Sequence, residues 1–257
     1  MVGLMSLPRP LVMAHRGDAV HAPENTLSAF RLALEARADI LETDLWLTAD
    51  DVWVCHHDRT LDRVTDIVGA IPEMTLAQVK RARVLRSYCG QFDEAAYPDE
   101  RVPTLEELLA LTPLDKGLAL ELKDPRLGIP EQAARLAAKI RFRIEAQMVM
   151  LLAFDVDLLW AARAAAPGVW VGEISEANSN PTFAGNGVGT TWQAMQANPR
   201  YMDVARAHRL WVCPLDPSPE ERLDWYLALG VDAVLSDDPA RTRAALALRQ
   251  KGSQGIN

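Results

Sequence analysis

Several things that would direct a reading of this chain are scarce in it. It holds three cysteines in 257 residues, Cys55, Cys89 and Cys213, an odd and widely spaced set with no CxxC. That is not a disulfide framework, and a reducing compartment fits it best. No stretch approaches the roughly 18 consecutive apolar residues of a membrane span, so no stable membrane insertion is expected. The first residues, MVGLMSLPRPLVMAHRG, lack a charged segment followed by a long apolar run and a small-residue cleavage site, and they read as the native start of a cytoplasmic protein. Basic residues are the minority: 27 Lys and Arg against 35 Asp and Glu give a net charge of −8. A nucleic-acid partner, which needs clustered positive charge, is therefore not expected. An anionic small molecule stays open, because a metal ion and a few placed basic groups reverse the potential locally. Oligomeric state is left open.

What the chain does have is rhythm. Short apolar runs at Leu11–His15, Asp39–Trp46, Val52–His56, Leu118–Lys123, Met148–Phe154, Val169–Ile174, Leu210–Leu215 and Asp232–Ser236 read as strands. Helical patterns separate most of them: one opening at Glu24-Asn25-Thr26, one at Thr104 with Glu107 three residues on, and others at Pro130–Arg143, Asp155–Ala166, Arg200–Ala207, Ser218–Leu229 and Pro239–Arg249. Strands alternating with helices specify a parallel sheet with helical crossovers. About eight such units in this length favour a single (β/α)₈ barrel of the TIM type, spanning residues 1–257 with its core at about 11–240. An open doubly wound sheet is the alternative, weakened by the absence of GxGxxG after the first strand. Residues 60–101, with a helix expected at 75–86, form an insertion after the third strand. The polar segment 175–199 reads as a long loop, in which Trp192 is either a lid or a residue packing a helix onto the barrel.

The chemistry-bearing residues gather at strand ends. Glu42 and Asp44, in LETDLW, are two apart on a strand and share a face. Two buried carboxylates repel and lose hydration, costs that a divalent cation removes, and oxygen ligands suit Mg²⁺ or Ca²⁺. Glu121 and Lys123, in ALELKD, repeat the device: Glu121 can complete the cluster, and Lys123 can meet an anion. His15, in HRG, and His57, in HHD, follow strands, and imidazole is the side chain best suited to act as general acid or base at neutral pH. Arg16 can clamp a phosphate, and Gly17 lets the backbone turn closely. His56 and His208 read as structural, and His21 as a loop residue.

The ordered set HRG at 15–17, ENT at 24–26, ExD at 42–44, HHD at 56–58, VPTLEE at 102–107, ELK at 121–123 and GVDAVLSDDP at 230–239 resembles the glycerophosphodiester phosphodiesterases. The resemblance implies a TIM-type barrel and metal-dependent hydrolysis of glycerophosphodiesters, small-molecule substrates, to an alcohol and glycerol 3-phosphate. It implies His15 and His57 as the acid–base pair, Glu42, Asp44 and Glu121 as ligands of one divalent cation (Mg²⁺ or Ca²⁺, with Mn²⁺ possible), and Arg16 and Lys123 as phosphate contacts. Glu24 and Asn25 match the motif near metal and phosphate. Attack by the substrate's own 2-hydroxyl through a cyclic phosphate follows, with either histidine as first base.

The chain departs from the family at Ala153-Phe154, where Ser-Phe is usual, and at Cys213-Pro214-Leu215-Asp216, where Trp-Thr-Val-Asn is usual, with Trp211 just before. Phe154 and Trp211 are therefore expected on the alcohol side of the pocket, where the substrate is decided. Three rival readings remain: a phosphodiesterase or lyase acting on a lysophospholipid or choline lipid, as in sphingomyelinase D-type barrels; a barrel that only binds a phosphorylated ligand; and a Schiff-base enzyme using Lys123, disfavoured because Glu121 would raise the lysine's pKa.

Overall fold

Alternating inward and outward side chains account for most strands. In the computed structural model, which describes residues 3–182 and 184–254, they are β1 (Leu11–Ala14), β2 (Ile40–Leu47), β3 (Trp53–Cys55), β4 (Gly117–Leu122), β5 (Val149–Ala153), β6 (Trp170–Ser175), β7 (Gly187–Thr190), β8 (Trp211–Val212) and β9 (Ala233–Ser236). Eight of them lie side by side in the order β8-β7-β6-β5-β4-β2-β1-β9, every neighbouring pair parallel. Asp232, just before β9, closes most of the remaining gap: its amide donates to the Val212 carbonyl at 2.9 Å, and its Oδ2 accepts from the Val212 amide at 2.7 Å. The result is a nearly closed parallel barrel of the TIM type.

Leu11, Met13, Ile40, Ala119, Met150 and Leu235 point into the barrel, and Leu4 seals its lower end against Gly117. The intervening residues, among them Leu41, Leu45, Leu118, Leu120 and Leu151, face outward into a layer shared with the surrounding helices. Glu42, Asp44 and Glu121 have the inward parity of Ile40 and Ala119, so the strand period carries three acids into the interior.

Four segments differ from the sequence expectation. The run at Val52–His56 is a strand, but β3 is antiparallel and hangs off β2 as a hairpin outside the barrel. The missing barrel strand is β7, inside the polar segment 175–199. Its sequence, Gly-Val-Gly-Thr, has too few large apolar groups to stand out, and a helix at Trp192–Ala197 follows it. The helix expected at 75–86 is a single turn, Leu76–Val79, held by a capping box between Thr75 and Gln78. Beyond it the insertion uses short bridges, Thr65 with Val84 and Arg83 with Arg101, over its own small core of Leu61, Val64, Ile71 and Val79. The helix expected at Pro130–Arg143 is two pieces, Pro130–Lys139 and Arg141–Glu145.

Candidate active site

The paired register Asp44↔Glu121 sets two carboxylates side by side, and Glu42 lies one inward position earlier on β2. All three are buried, and one oxygen of each lies within 4.8 Å of the others. Burial, then repulsion by Asp44 and Glu121, pushes the Glu42 carboxyl well above the usual range. Burial and Asp44 push Glu121 up to about 7. Burial acts on Asp44 as well, but Arg16, Lys123 and His57 outweigh it and hold that carboxyl far below its ordinary value. Lys123 Nζ is 2.6 Å from Glu121 Oε1 and 3.4 Å from Asp44. Glu121 Oε1 is thus a buried oxygen whose near neighbour is the Lys123 ammonium. Three buried carboxylates converging on one point are a donor set that fits a hard divalent cation.

His15 leaves the end of β1, and its Nδ1 lies 2.8 Å from Asp237 Oδ1 and 3.1 Å from the Tyr88 hydroxyl. His57 follows β3, and its Nδ1 lies 2.7 Å from Asp58 Oδ1. Each ring is thus tied to a carboxylate through Nδ1, the arrangement that leaves Nε2 as the working nitrogen of the neutral imidazole. Burial lowers the pKa of His57, with Asp44 opposing.

Arg16 sits in a left-handed conformation (φ 57°), which turns its amide onto Glu42 Oε2 at 3.0 Å. Its guanidinium reaches Glu24 at 2.9 Å and Asp44 at 3.5 Å, and lies 4.9 Å from the centre of the Tyr88 ring. Burial opposes this charge, but Asp44, Glu24 and Glu42 raise its pKa. One cavity of about 360 Å³ is lined by His15, Arg16, Glu42, His57, Glu121 and Lys123, and extends past Phe154 and Trp211.

The sequence pattern of the glycerophosphoryl diester phosphodiesterase family matches residues 15–241. The chain belongs to this family. It is 32% identical to a probable glycerophosphodiester phosphodiesterase of Mycobacterium tuberculosis, with 92% of each chain covered. Its fold is similar to that of an Oleispira antarctica phosphodiesterase solved in complex with the product sn-glycerol-3-phosphate, with a TM-score of 0.78, 26% identity, and 93% of this chain and 97% of that one covered. The crystal structure of a protein from Silicibacter pomeroyi named a putative glycerophosphoryl diester phosphodiesterase gives a TM-score of 0.77 at 26% identity, covering 95% of this chain and 96% of that one. No helix among the described residues is long and apolar enough to cross a membrane.

The family motifs do not all reach the cavity. Glu24 and Asn25, expected to touch substrate, lie behind its wall. Buried Glu24 accepts from Arg16, from Arg63 at 2.8 and 3.0 Å, and from the Tyr88 amide at 2.7 Å. Asn25, at φ 55°, donates to Asp44 at 3.0 Å and accepts from Thr43 at 2.6 Å. In the structure both hold charged groups of the site, Glu24 the guanidinium groups of Arg16 and Arg63 and Asn25 the Asp44 carboxylate. Phe154 stands half-exposed at the rim, its ring 5.6 Å from Lys123 Nζ. Trp192 is not in the cavity wall; it packs on the outer layer with Arg222 stacked 5.0 Å from its ring, because Thr191 caps a helix there. His56 is buried with Nδ1 on the Asp58 carbonyl, in keeping with a structural part.

Four site residues escaped the sequence reading: Asp58, Arg63, Tyr88 and Asp237. Arg63 joins Glu24 to Asp58, and Tyr88 donates to Asp237. Asp58 and Asp237 were within quoted motifs, and their adjacency to a histidine or a strand end was the available signal. Arg63 and Tyr88 come from the insertion, where no period marks them.

Proposed function

We propose that this protein hydrolyses glycerophosphodiesters to an alcohol and glycerol 3-phosphate, with His15 and His57 as the acid–base pair. The observation that carries the reading is the convergence of two carboxylate-oriented imidazoles on the cavity that Glu42 and Glu121 line, with Asp44 clustered beside those two acids. The names of its relatives, and the product bound by the Oleispira antarctica enzyme, support the same activity.

Glu42, Asp44 and Glu121 would hold one divalent cation, with Mg²⁺ or Ca²⁺ the ions that suit all-oxygen ligands. Such an ion supplies charge neutralisation at a phosphoryl oxygen and at the charge that grows there. Arg16 and Lys123, both kept cationic by the surrounding acids, bind the phosphate oxygens. Asp237 and Asp58 keep the Nδ1 protons of His15 and His57 in place, so each Nε2 takes or returns a proton. One histidine removes the proton of the substrate's 2-hydroxyl, which attacks phosphorus; the other protonates the departing alkoxide. Water then opens the cyclic phosphate with the two rings exchanging roles. Each proton transfer contributes roughly 10²–10⁴ in rate.

The test is turnover of glycerophosphoethanolamine by the wild-type protein, His15→Ala and His57→Ala, with divalent ions and with chelator. Glycerol 3-phosphate from the wild type alone, and only with a divalent ion, is the expected result. Retained activity in either variant would remove that histidine from the mechanism.

A further inference from the structure

A row of inward positions can be followed across the sheet through its register. Asp44 pairs with Glu121, Glu121 with Leu152, Leu152 with Gly172, Gly172 with Gly187, and Gly187 with Trp211. Residues paired in parallel strands point the same way, so this is one row of inward positions, which slants from the carboxylates down toward the lower core, where Trp211 packs with Leu4 and Leu11. It is acidic over β2 and β4, and apolar or without side chains from β5 to β8. The next layer outward repeats the pattern, where Ile174 pairs with Gly189.

Barrels of this type ordinarily fill such layers with bulky branched side chains. Here two neighbouring glycines leave the layer open, and the cavity continues from the histidines and carboxylates into that space, between Met150, Leu152, Ile174 and Leu215. Backbone packing explains Gly189, whose Cβ would lie 2.8 Å from the Cys213 carbonyl oxygen, and in part Gly187, at 3.2 Å from that of Trp211. It does not explain Gly172. Its nearest obstacle is the Leu152 Cδ2 methyl at 2.9 Å, the end of a side chain that can rotate. The Trp211 indole Nε1 is buried without a partner, and an ether or ester oxygen entering the chamber can satisfy it. Glu176, exposed after β6, is the acidic group on this side among the described lining residues.

We infer that the β5–β8 half of the barrel is a chamber for an alkyl chain, and that the preferred phosphodiesters carry one. The inference rests on the phosphodiesterase reading above and names its substrate class. The chain has two possible sources, the glycerol oxygen of a lysophospholipid or the leaving alcohol of an alkyl glycerophosphate.

The experiment uses the full chain with divalent ion and two homologous series below micelle formation. In one, glycerophosphoethanolamine carries acyl groups from acetyl to octanoyl on the glycerol; in the other, glycerol phosphate is esterified with alcohols from ethanol to octanol. In one series kcat/KM should rise about four-fold per methylene until the chamber is full, and that series identifies the source. Gly172→Val, which fills the chamber, and Leu152→Gln, which makes its wall polar, should each flatten the slope. Binding of n-alkyl phosphates, followed calorimetrically, should show the same dependence without turnover. Flat series with good turnover of the parent diester overturn the chamber and leave the phosphodiesterase reading standing. No turnover of any diester, with chain-dependent binding intact, does the reverse. A slope that survives both substitutions also overturns the chamber.

Discussion

Asp237 and His15, 222 residues apart, meet because β1 and β9 are paired with Ala14 opposite Ser236. The next residue on each strand leaves the barrel at the same point, and Asp237 Oδ1 comes to 2.8 Å from His15 Nδ1. Asp237 also accepts from Tyr88 through its other oxygen, which ties the insertion to the ring.

This contact decides which nitrogen of His15 carries the proton. In Asp237→Asn the side-chain amide can donate to Nδ1 and favour the wrong tautomer. Steady-state kinetics should show kcat falling toward the roughly 10²–10⁴-fold loss of a general acid–base group, with KM little changed. Tyr88→Phe keeps the ring beside Arg16 and removes the hydroxyl's contacts with Asp237 and His15 but leaves the Asp237–His15 pair, so kcat should fall only roughly two- to ten-fold. Equal losses in the two variants would mean that orientation by Asp237 is unimportant.

The carboxylate cluster makes the metal-free protein sensitive to pH. Glu121 is raised from 4.5 to about 7, and Glu42 is raised too. A carboxyl whose folded pKa lies above its unfolded value binds more protons when folded, so its ionisation destabilises the fold as pH rises from about 4.5 to 7. Asp44 works in the opposite sense, but at lower pH, where its stabilisation is lost as it protonates. A bound divalent ion removes the repulsion at Glu42 and Glu121. The rise in Tm on adding Mg²⁺, Ca²⁺ or Mn²⁺ should therefore be larger at pH 8 than at pH 5, and Glu42→Gln should shrink it. A shift independent of pH would contradict this reading.

Glu24 braces two arginines from inside the wall. Burial would raise its pKa, but hydrogen bonds from Arg63 and the charge of Arg16 lower it. Glu24→Ala leaves Arg16 buried with fewer partners, and urea unfolding at pH 7 should show a loss of up to about 3–5 kcal/mol. A depressed carboxyl contributes stability above its unfolded pKa and loses it as pH falls through the folded value, so the difference should shrink well below pH 4.5. KM should rise along with the loss of the Arg16 brace.

Gly17 holds φ at +84°, and a Cβ there would lie 2.6 Å from the Ala29 backbone carbon. Gly17→Ala should cost about 1–3 kcal/mol for the conformation alone, more with the clash, and should weaken phosphate binding by moving Arg16. Chemical denaturation of the variant checks the first effect, and inhibition by inorganic phosphate the second.

The barrel was legible because its strands carry either strong apolar runs or paired charges: Ile40 and Leu41 announce β2, and Met148–Leu152 announce β5. The site was legible where one strand or one motif carried two groups, as with Glu42 and Asp44, or Glu121 and Lys123. Strand direction was not legible at Val52–His56, because pairing lies in the partner's register rather than in the strand's own residues. Gly187–Thr190 escaped because its glycines, which leave the chamber open, remove the apolar signal that marks a strand. Tyr88 and Arg63 escaped because their roles depend on how an irregular insertion folds back onto β1 and β9.

The most direct measurement is anomalous diffraction from a crystal of this protein soaked with Mn²⁺ and sn-glycerol 3-phosphate. One ion held by Glu42, Asp44 and Glu121, with a phosphate oxygen on it and His15 and His57 Nε2 both within hydrogen-bond reach of the phosphate or its oxygens, is the predicted result. An ion instead at Asp18, His21 and Asp238, whose ligand atoms also lie within 4.8 Å of one another, or a phosphate lying away from either imidazole, would contradict the account.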